Sequence, residues 1–180
     1  MTPVAARRAT ADHSARDVLD AIRRIVRALR EASRASERAL GLSAAQVFVL
    51  QRLSSAPALS VNELAQRTLT HQSSVSVVVS KLVQRGLVQR VPAARDARRV
   101  EVTLTRQGRD LIARAPAAAP QDRLIAALEL LGKSRRRVLA ASLRGLVDAM
   151  ALSDDPAPMF FEPISGRRPA ERTPRRARRS

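Results

Sequence analysis

No cysteine, tryptophan or tyrosine occurs among the 180 residues of this chain, and its only aromatic rings are Phe48, Phe160 and Phe161. Without cysteine there is no disulfide framework, thiolate zinc site, nucleophilic thiol or thiol redox switch. With three rings the core must be aliphatic. His13 and His71 lie far apart in sequence, so no metal site and no cofactor is expected. No apolar run approaches the roughly 18 residues of a membrane span. Arg7 and Arg8 are followed by no apolar segment of the secretory kind. A cytoplasmic protein that does not engage membranes is the resulting expectation. Acidic residues are scarce as well, 16 against 33 basic ones, for a net charge of +17. Only Lys81 and Lys133 of the basic set are lysine; the rest are arginine. Such a field favours polyanions, although a GC-rich genome also produces arginine by codon bias, so position has to decide. The 45% of hydrophobic residues suffice for a core and exclude wholesale disorder.

Along the chain, residues 1–13 are small, polar and unpatterned and read as a flexible arm. Ser14 and Asp17 have the spacing of a capping box, and Val18, Leu19, Ile22, Ile25, Val26 and Leu29 follow at helical intervals. That helix should run from 14 to Leu40 and stop at Gly41. Ser43 with Gln46 is a second box, opening a helix through Phe48, Leu50 and Leu53. Ser60 with Glu63 is a third, opening a short helix that carries Leu64 and Ala65. After a polar turn from Thr68 to His71 comes a run rich in β-branched residues, Gln72 to Arg85, whose propensity alone suggests a strand. Periodicity overrides it: Val75, Val78, Val79, Leu82 and Val83 share one helical face, and Gly86 followed by Leu87 is a helix stop. Leu87–Val91 and Arg99–Thr105 then alternate as strands, with Val100, Val102 and Leu104 inward, around a basic turn from Pro92 to Arg98. Thr105 caps a further helix that Pro116 and Pro120 must interrupt. Helical spacing resumes at Leu124, Ile125 and Leu128 and again, after Gly132, at Val138, Leu139, Leu143, Leu146, Val147 and Met150. Residues 151–180 are rich in proline and arginine and are expected to be disordered.

A short helix, a tight turn, a longer helix and a basic hairpin, in that order, make a winged helix-turn-helix over about 43–105. The fold class is therefore mainly α with a small β-hairpin wing, flanked by helices at about 14–40 and 105–150. With Val75, Val78, Val79 and Leu82 in the core, Ser73, Ser76, Val77, Ser80, Lys81 and Gln84 are left outside. That outer face carries no acidic residue, and its small side chains can approach base edges in a major groove. Val77 lies opposite the core and is expected to pack on a thymine methyl. The helix N-terminus, His71 to Ser74, offers backbone N–H groups to a phosphate; His71 itself either caps the helix or donates to that phosphate. Arg90, Arg95, Arg98 and Arg99 charge the wing, and Asp96 is expected to hold the Arg98 guanidinium extended for a narrow minor groove. The DNA-binding set is thus His71, Gln72, Ser73, Ser74, Ser76, Val77, Ser80, Lys81, Arg90, Arg95, Asp96, Arg98 and Arg99. Arg135, Arg136 and Arg137 open the last helix against its macrodipole; either pairing with acidic groups of another subunit or codon bias alone would account for them.

The segment LAQRTLTHQSSVSVVVSKLVQRGLV from Leu64 to Val88 resembles the helix-turn-helix of the multiple-antibiotic-resistance regulator (MarR) family. The wing RDARRVEVTLT from Arg95 to Thr105, followed by Gly108, resembles that family's Asp-x-Arg wing and its continuation. The likeness covers residues 15–150. It implies a homodimer formed by the terminal helices, acting on pseudo-palindromic double-stranded DNA as a repressor or an activator of transcription. It also implies release by a small phenolic or anionic effector bound between dimer and reader lobes. Two other classes compete: an architectural protein coating any duplex, and a winged-helix protein-interaction module. No enzyme is expected, because nucleophile–base pairs, glycine-rich phosphate loops and carboxylate clusters are all missing.

Overall fold

The computed structural model describes residues 4–93, 96–115, 119–152 and 156–162. Seven helices and one hairpin follow in the order α1 (Val4–Leu40), α2 (Ala44–Ser54), α3 (Val61–Thr68), α4 (Gln72–Gln84), β1 (Val88–Ala93), β2 (Asp96–Leu104), α5 (Arg106–Ile112), α6 (Pro120–Leu130) and α7 (Gly132–Ala149). No helix of the described residues is long and apolar enough to cross a membrane.

The helix starts at Ser43, Ser60 and Thr105 follow from local chemistry. Ser43 and Ser60 are extended N-caps whose hydroxyls accept from the backbone N–H of Gln46 and Glu63, and both boxes are reciprocated. Thr105 accepts from the Gly108 N–H at 3.1 Å. The box read at Ser14 does not form a helix start, because α1 already begins at Val4 and passes through it. The stretch from Ala5 to Ala11 is built of alanine and arginine with one threonine, and no glycine or proline interrupts positions 4–40. These are strong helix formers, and a serine inside a continuous helix has no free N–H to cap. Residues 4–13, read from sequence as an arm, belong to α1.

The core is aliphatic around one ring. Phe48, Leu50 and Leu53 of α2, Leu64 of α3 and Val75, Val78, Val79 and Leu82 of α4 are fully buried, joined by Val88 and Val102 from the hairpin. β1 and β2 pair antiparallel from Val88↔Leu104 to Pro92↔Val100, with a register shift between Pro92 and Ala93. Leu59 adds a bridge to Val102, exchanging N–H···O bonds of 3.0 and 2.7 Å. The strands run further than the expected turn from 92 to 98 allows. A two-stranded ribbon has free edges, so Pro92 needs no ladder partner for its missing N–H. Val102 and Leu104 face the core as read, but Val100 is exposed, because the ribbon has by then passed beyond the helices it could pack on.

Gly108 explains the turn into α5. A Cβ there would sit 2.0 Å from the Leu87 carbonyl oxygen, so only glycine lets α5 start against the end of the recognition unit. α6 and α7 are separate helices, parted at Leu131, with Gly132 at φ +70° as the first residue of α7. α7 buries none of its 18 residues within the chain. Finally, residues 156–162 return to the core: Met159 and Glu162 are buried. The expectation of disorder from 151 onward is corrected there, while residues 163–180 lie outside the described residues.

Candidate nucleic-acid interface

α3 and α4 are set by the turn Leu69–His71, in which Leu69 takes a left-handed conformation (φ 52°, ψ 43°) as C-cap of α3. His71 is the N-cap of α4 but its side chain makes no cap hydrogen bond; it is exposed, as are Gln72 and Ser73. Val77 is 45% exposed and lies opposite the buried Val75, Val79 and Leu82. Ser76 and Ser80 are half-buried at the edge facing the wing, where Arg90 donates to the Ser80 hydroxyl at 3.1 Å. That bond ties the first wing strand to the reading helix and aims a guanidinium along its flank.

Two residues of the expected set turn away from this surface. Ser74 is buried, and its hydroxyl donates to the Ala157 carbonyl at 2.8 Å. Lys81 donates to the buried Glu162 carboxylate at 2.5 Å. Both sit on the other flank of α4, where the returning segment 156–162 lies beside them. A helical wheel places Lys81 near the exposed face, and only the distant acidic partner draws it aside.

In the wing, Asp96, Arg98 and Arg99 are exposed, and Arg95 lies outside the described residues. Asp96 accepts from the backbone N–H of Arg98 at 3.1 Å, and no Asp96–Arg98 ion pair forms among the described residues. The carboxylate therefore shapes the hairpin tip as an Asx-type turn and does not grip the guanidinium, which corrects that expectation. Arg99 faces back toward α3, across a groove of about 470 Å³ that Glu63 and Gln72 also line. Hydrogen bonds from Ser60 hold the Glu63 carboxyl below the usual carboxylate range, with smaller contributions from Arg67 and Arg99.

Sequence reasoning missed Gln121 and the residues of 156–162. Gln121, on α6, is buried with both amide atoms lacking a partner within the described residues. It lines a cavity of about 480 Å³ with Phe48, Thr68, His71 and Met159. Below it, Arg52 of α2 stacks over the Phe48 ring at 4.6 Å and pairs with Asp122 of α6. Burial lowers the Arg52 pKa, with Arg67 adding to the effect. Nothing local marks such cross-element contacts. Among the described residues no cluster of histidine and acidic side chains could hold a metal ion.

Residues 40–99 match the model of the MarR family. The transcriptional repressor MdtR of Bacillus subtilis is 34% identical over 68 residues, covering 38% of this chain and 44% of that relative. The match thus spans less than half the length of the curated relative. Among solved structures, a mutant MarR from E. coli complexed with operator DNA superposes with a TM-score of 0.50 at 22% identity, covering 73% of this chain and 96% of that one. A probable transcriptional regulator from Pseudomonas aeruginosa gives 0.47 at 28% identity, covering 69% and 91%. The hairpin with its Asp96-x-Arg98 tip and the glycine turn at 108 complete a winged helix-turn-helix, which over residues 40–99 is similar to that of the MarR family.

Proposed function

We propose that the chain is a sequence-specific, double-stranded-DNA-binding regulator of transcription, acting as a homodimeric repressor on a pseudo-palindromic operator. The observation that carries this reading is the exposed face of α4. It presents Ser73, Val77 and Gln84 with no acidic side chain, beside a wing that holds Arg90 against Ser80. A solvated helix in a chain with no groove to enter has no reason to present a small, acid-free face next to a basic hairpin. The superposition on a MarR bound to operator DNA agrees in fold. His71, Gln72, Ser73, Ser76, Val77 and Ser80 would face the groove, and Arg90, Arg95, Arg98 and Arg99 the flanking backbone. A small effector would bind in the cavity at Gln121, where two unpartnered amide atoms offer a donor and an acceptor beside Phe48 and Met159.

The test is selection of duplexes from a random pool, followed by comparison of the best sequence with random DNA at physiological salt. A regulator should prefer its selected site by about 10³-fold or more. A ratio near one would replace this reading with that of an architectural coat. Arg98→Ala should weaken binding and lower the salt slope by roughly one unit; full retained affinity would show that the wing does not touch DNA.

A further inference from the structure

Asp122 fixes the first turn of α6. Its carboxylate accepts from the Ala119 N–H at 2.9 Å and pairs with Arg52 of α2. Gln121, one residue earlier, is held by those bonds in the wall of the cavity of about 480 Å³. The residue is 5% exposed, and neither its amide nitrogen nor its amide oxygen has a hydrogen-bond partner among the described residues. A buried polar group without a partner is costly and uncommon. Here a donor and an acceptor are left over side by side on one planar group.

The rest of the cavity suits a small, uncharged molecule that carries a ring. Its volume lies within the range of small-molecule sites, and Phe48, Met159 and Phe160 give it apolar surface. No arginine, lysine, aspartate or glutamate lines it. His71, its one ionisable lining side chain, is exposed to solvent, which screens whatever charge it carries. The Arg52 guanidinium lies over the Phe48 ring and is taken up by Asp122. An anion entering here would shed its water without meeting a free counter-charge, whereas a neutral amide edge would supply both bonds that Gln121 lacks. Met159 is unbranched and adaptable, so it is the part of the wall able to yield as a ligand reaches the amide.

We propose that this cavity is the seat of a neutral ligand with a ring and a carboxamide or lactam edge, whose N–H and C=O pair with the oxygen and nitrogen of the Gln121 amide. That chemistry departs from the anionic effectors among those the family resemblance implies, because no fixed positive charge lines the site. Occupation reaches the recognition helix by two short routes. One wall is the turn from Thr68 to His71, which sets the start of α4. Another is the stretch 157–160, where the Ala157 carbonyl accepts from Ser74 of α4 at 2.8 Å. The ligand site stands on the cavity alone; its role as an effector seat rests on the DNA-reading function above.

The test titrates the whole chain with three probes of similar size, followed by fluorine NMR: para-fluorobenzamide, para-fluorobenzoate and methyl para-fluorobenzoate. They present a donor beside an acceptor, a charge, and an acceptor alone. The amide should bind at least about tenfold more tightly than either of the others, since a site with buried polar groups rejects analogues that leave them unpaired. Gln121→Met keeps the length of the side chain and removes only unpaired groups. It should bring the amide to the level of the ester without lowering the denaturation midpoint. A carboxylate bound more tightly than the amide, an ester bound as well as the amide, or an amide that Gln121→Met binds as the unaltered chain does would each overturn the proposal. So would an amide with no measurable binding at millimolar concentration. The comparison among probes uses the unaltered chain, so it decides the matter even where Gln121→Met folds poorly. A separate arm adds a duplex recovered by the chain from a random pool. Saturating amide should change the affinity for that duplex by about fivefold or more, and bound duplex should change the affinity for the amide by the same factor. An amide that binds and leaves DNA affinity unaltered overturns the effector role. If the unaltered chain does not distinguish its recovered duplex from random DNA, it is the sequence-reading function that fails, and the probe titration still judges the ligand site.

Discussion

Val77 is a branched apolar side chain 45% exposed on a face otherwise made of serine, glutamine and histidine. Exposure of a single valine is ordinary on a protein surface, but this one sits where α4 would be deepest in a major groove. Its methyls can pack on a thymine C5-methyl, the one apolar group on that groove's edge. Replacing thymine by uracil at each operator position deletes only that methyl. At one position per half-site the exchange should cost the unaltered chain about 1 kcal/mol and cost Val77→Ala much less, as a double-mutant cycle reads it. A scan in which the two chains never differ would exclude the contact. Asp96 has a different kind of task. It accepts from the Arg98 backbone N–H, so its effect on DNA passes through the shape of the hairpin tip. Asp96→Asn keeps an acceptor for that bond and should retain most of the binding that Asp96→Ala loses, measured by titration at physiological salt. Equal losses in both variants would mean that the charge, not the turn, is what DNA binding needs.

Helix ends show where local chemistry was enough to read the fold and where it was not. The caps at Ser43, Ser60 and Thr105 are legible because both partners lie within three residues, and the extended cap backbone follows from the bonds themselves. The same tetrad at Ser14 misleads, since its N–H groups are already engaged by the turn before it. Periodicity likewise reveals α4 despite its valines, because the buried set recurs at helical spacing while strand propensity is only a weak preference. Long-range bonds leave no such trace. Ser74–Ala157 and Lys81–Glu162 join positions 83 and 81 residues apart, so the return of 156–162 to α4 and the diversion of Lys81 could not be read from spacing. Gly108 belongs to the pattern shared with the MarR family, and the structure supplies its cause: the Leu87 carbonyl oxygen lies 2.0 Å from where a Cβ would be. Gly108→Ala should therefore destabilise by about 3 kcal/mol, at the upper end of overpacking costs, seen as a lower denaturation midpoint with unchanged m-value. An unaltered midpoint would show that α5 can shift without cost. The Ser60–Glu63 box carries a pH signature of its own. Because Glu63 is held below the usual carboxylate range in the folded chain, its stabilisation is present above its unfolded pKa and is lost as pH falls through its folded one. Glu63→Gln keeps an acceptor for Ser60 but removes that acid-sensitive part, so the stability difference between the two chains should shrink on acidification; a constant difference would remove Glu63 from the account.

Among the described residues the molecule leaves a large apolar surface uncovered. α7 buries no residue, while Val138, Leu139, Leu143, Leu146, Val147 and Met150 all remain exposed to varying degrees. Leu139, Leu143, Leu146 and Met150 recur at intervals of four, three and four, which places them on one stripe of the helix. Val18, Leu19 and Ile25 make a comparable exposed set on α1. Patches of this extent are uncommon on monomers and mark interfaces, and a second copy of the chain offers the same stripes in return. A two-fold pairing would also set two recognition helices to face two half-sites of a palindrome. The doubly substituted chain Leu143→Glu, Leu146→Glu puts four carboxylates into such a dimer seam and should sediment as a monomer. Each reader would remain folded, because neither leucine belongs to the core around Phe48. Binding to a full operator should then fall by about 10²- to 10⁴-fold, the loss expected when two linked half-site contacts become independent. Binding to an isolated half-site should change little. Sedimentation that still shows a dimer would move the interface away from α7, and an unchanged operator affinity in a true monomer would show that the two half-sites are not read together.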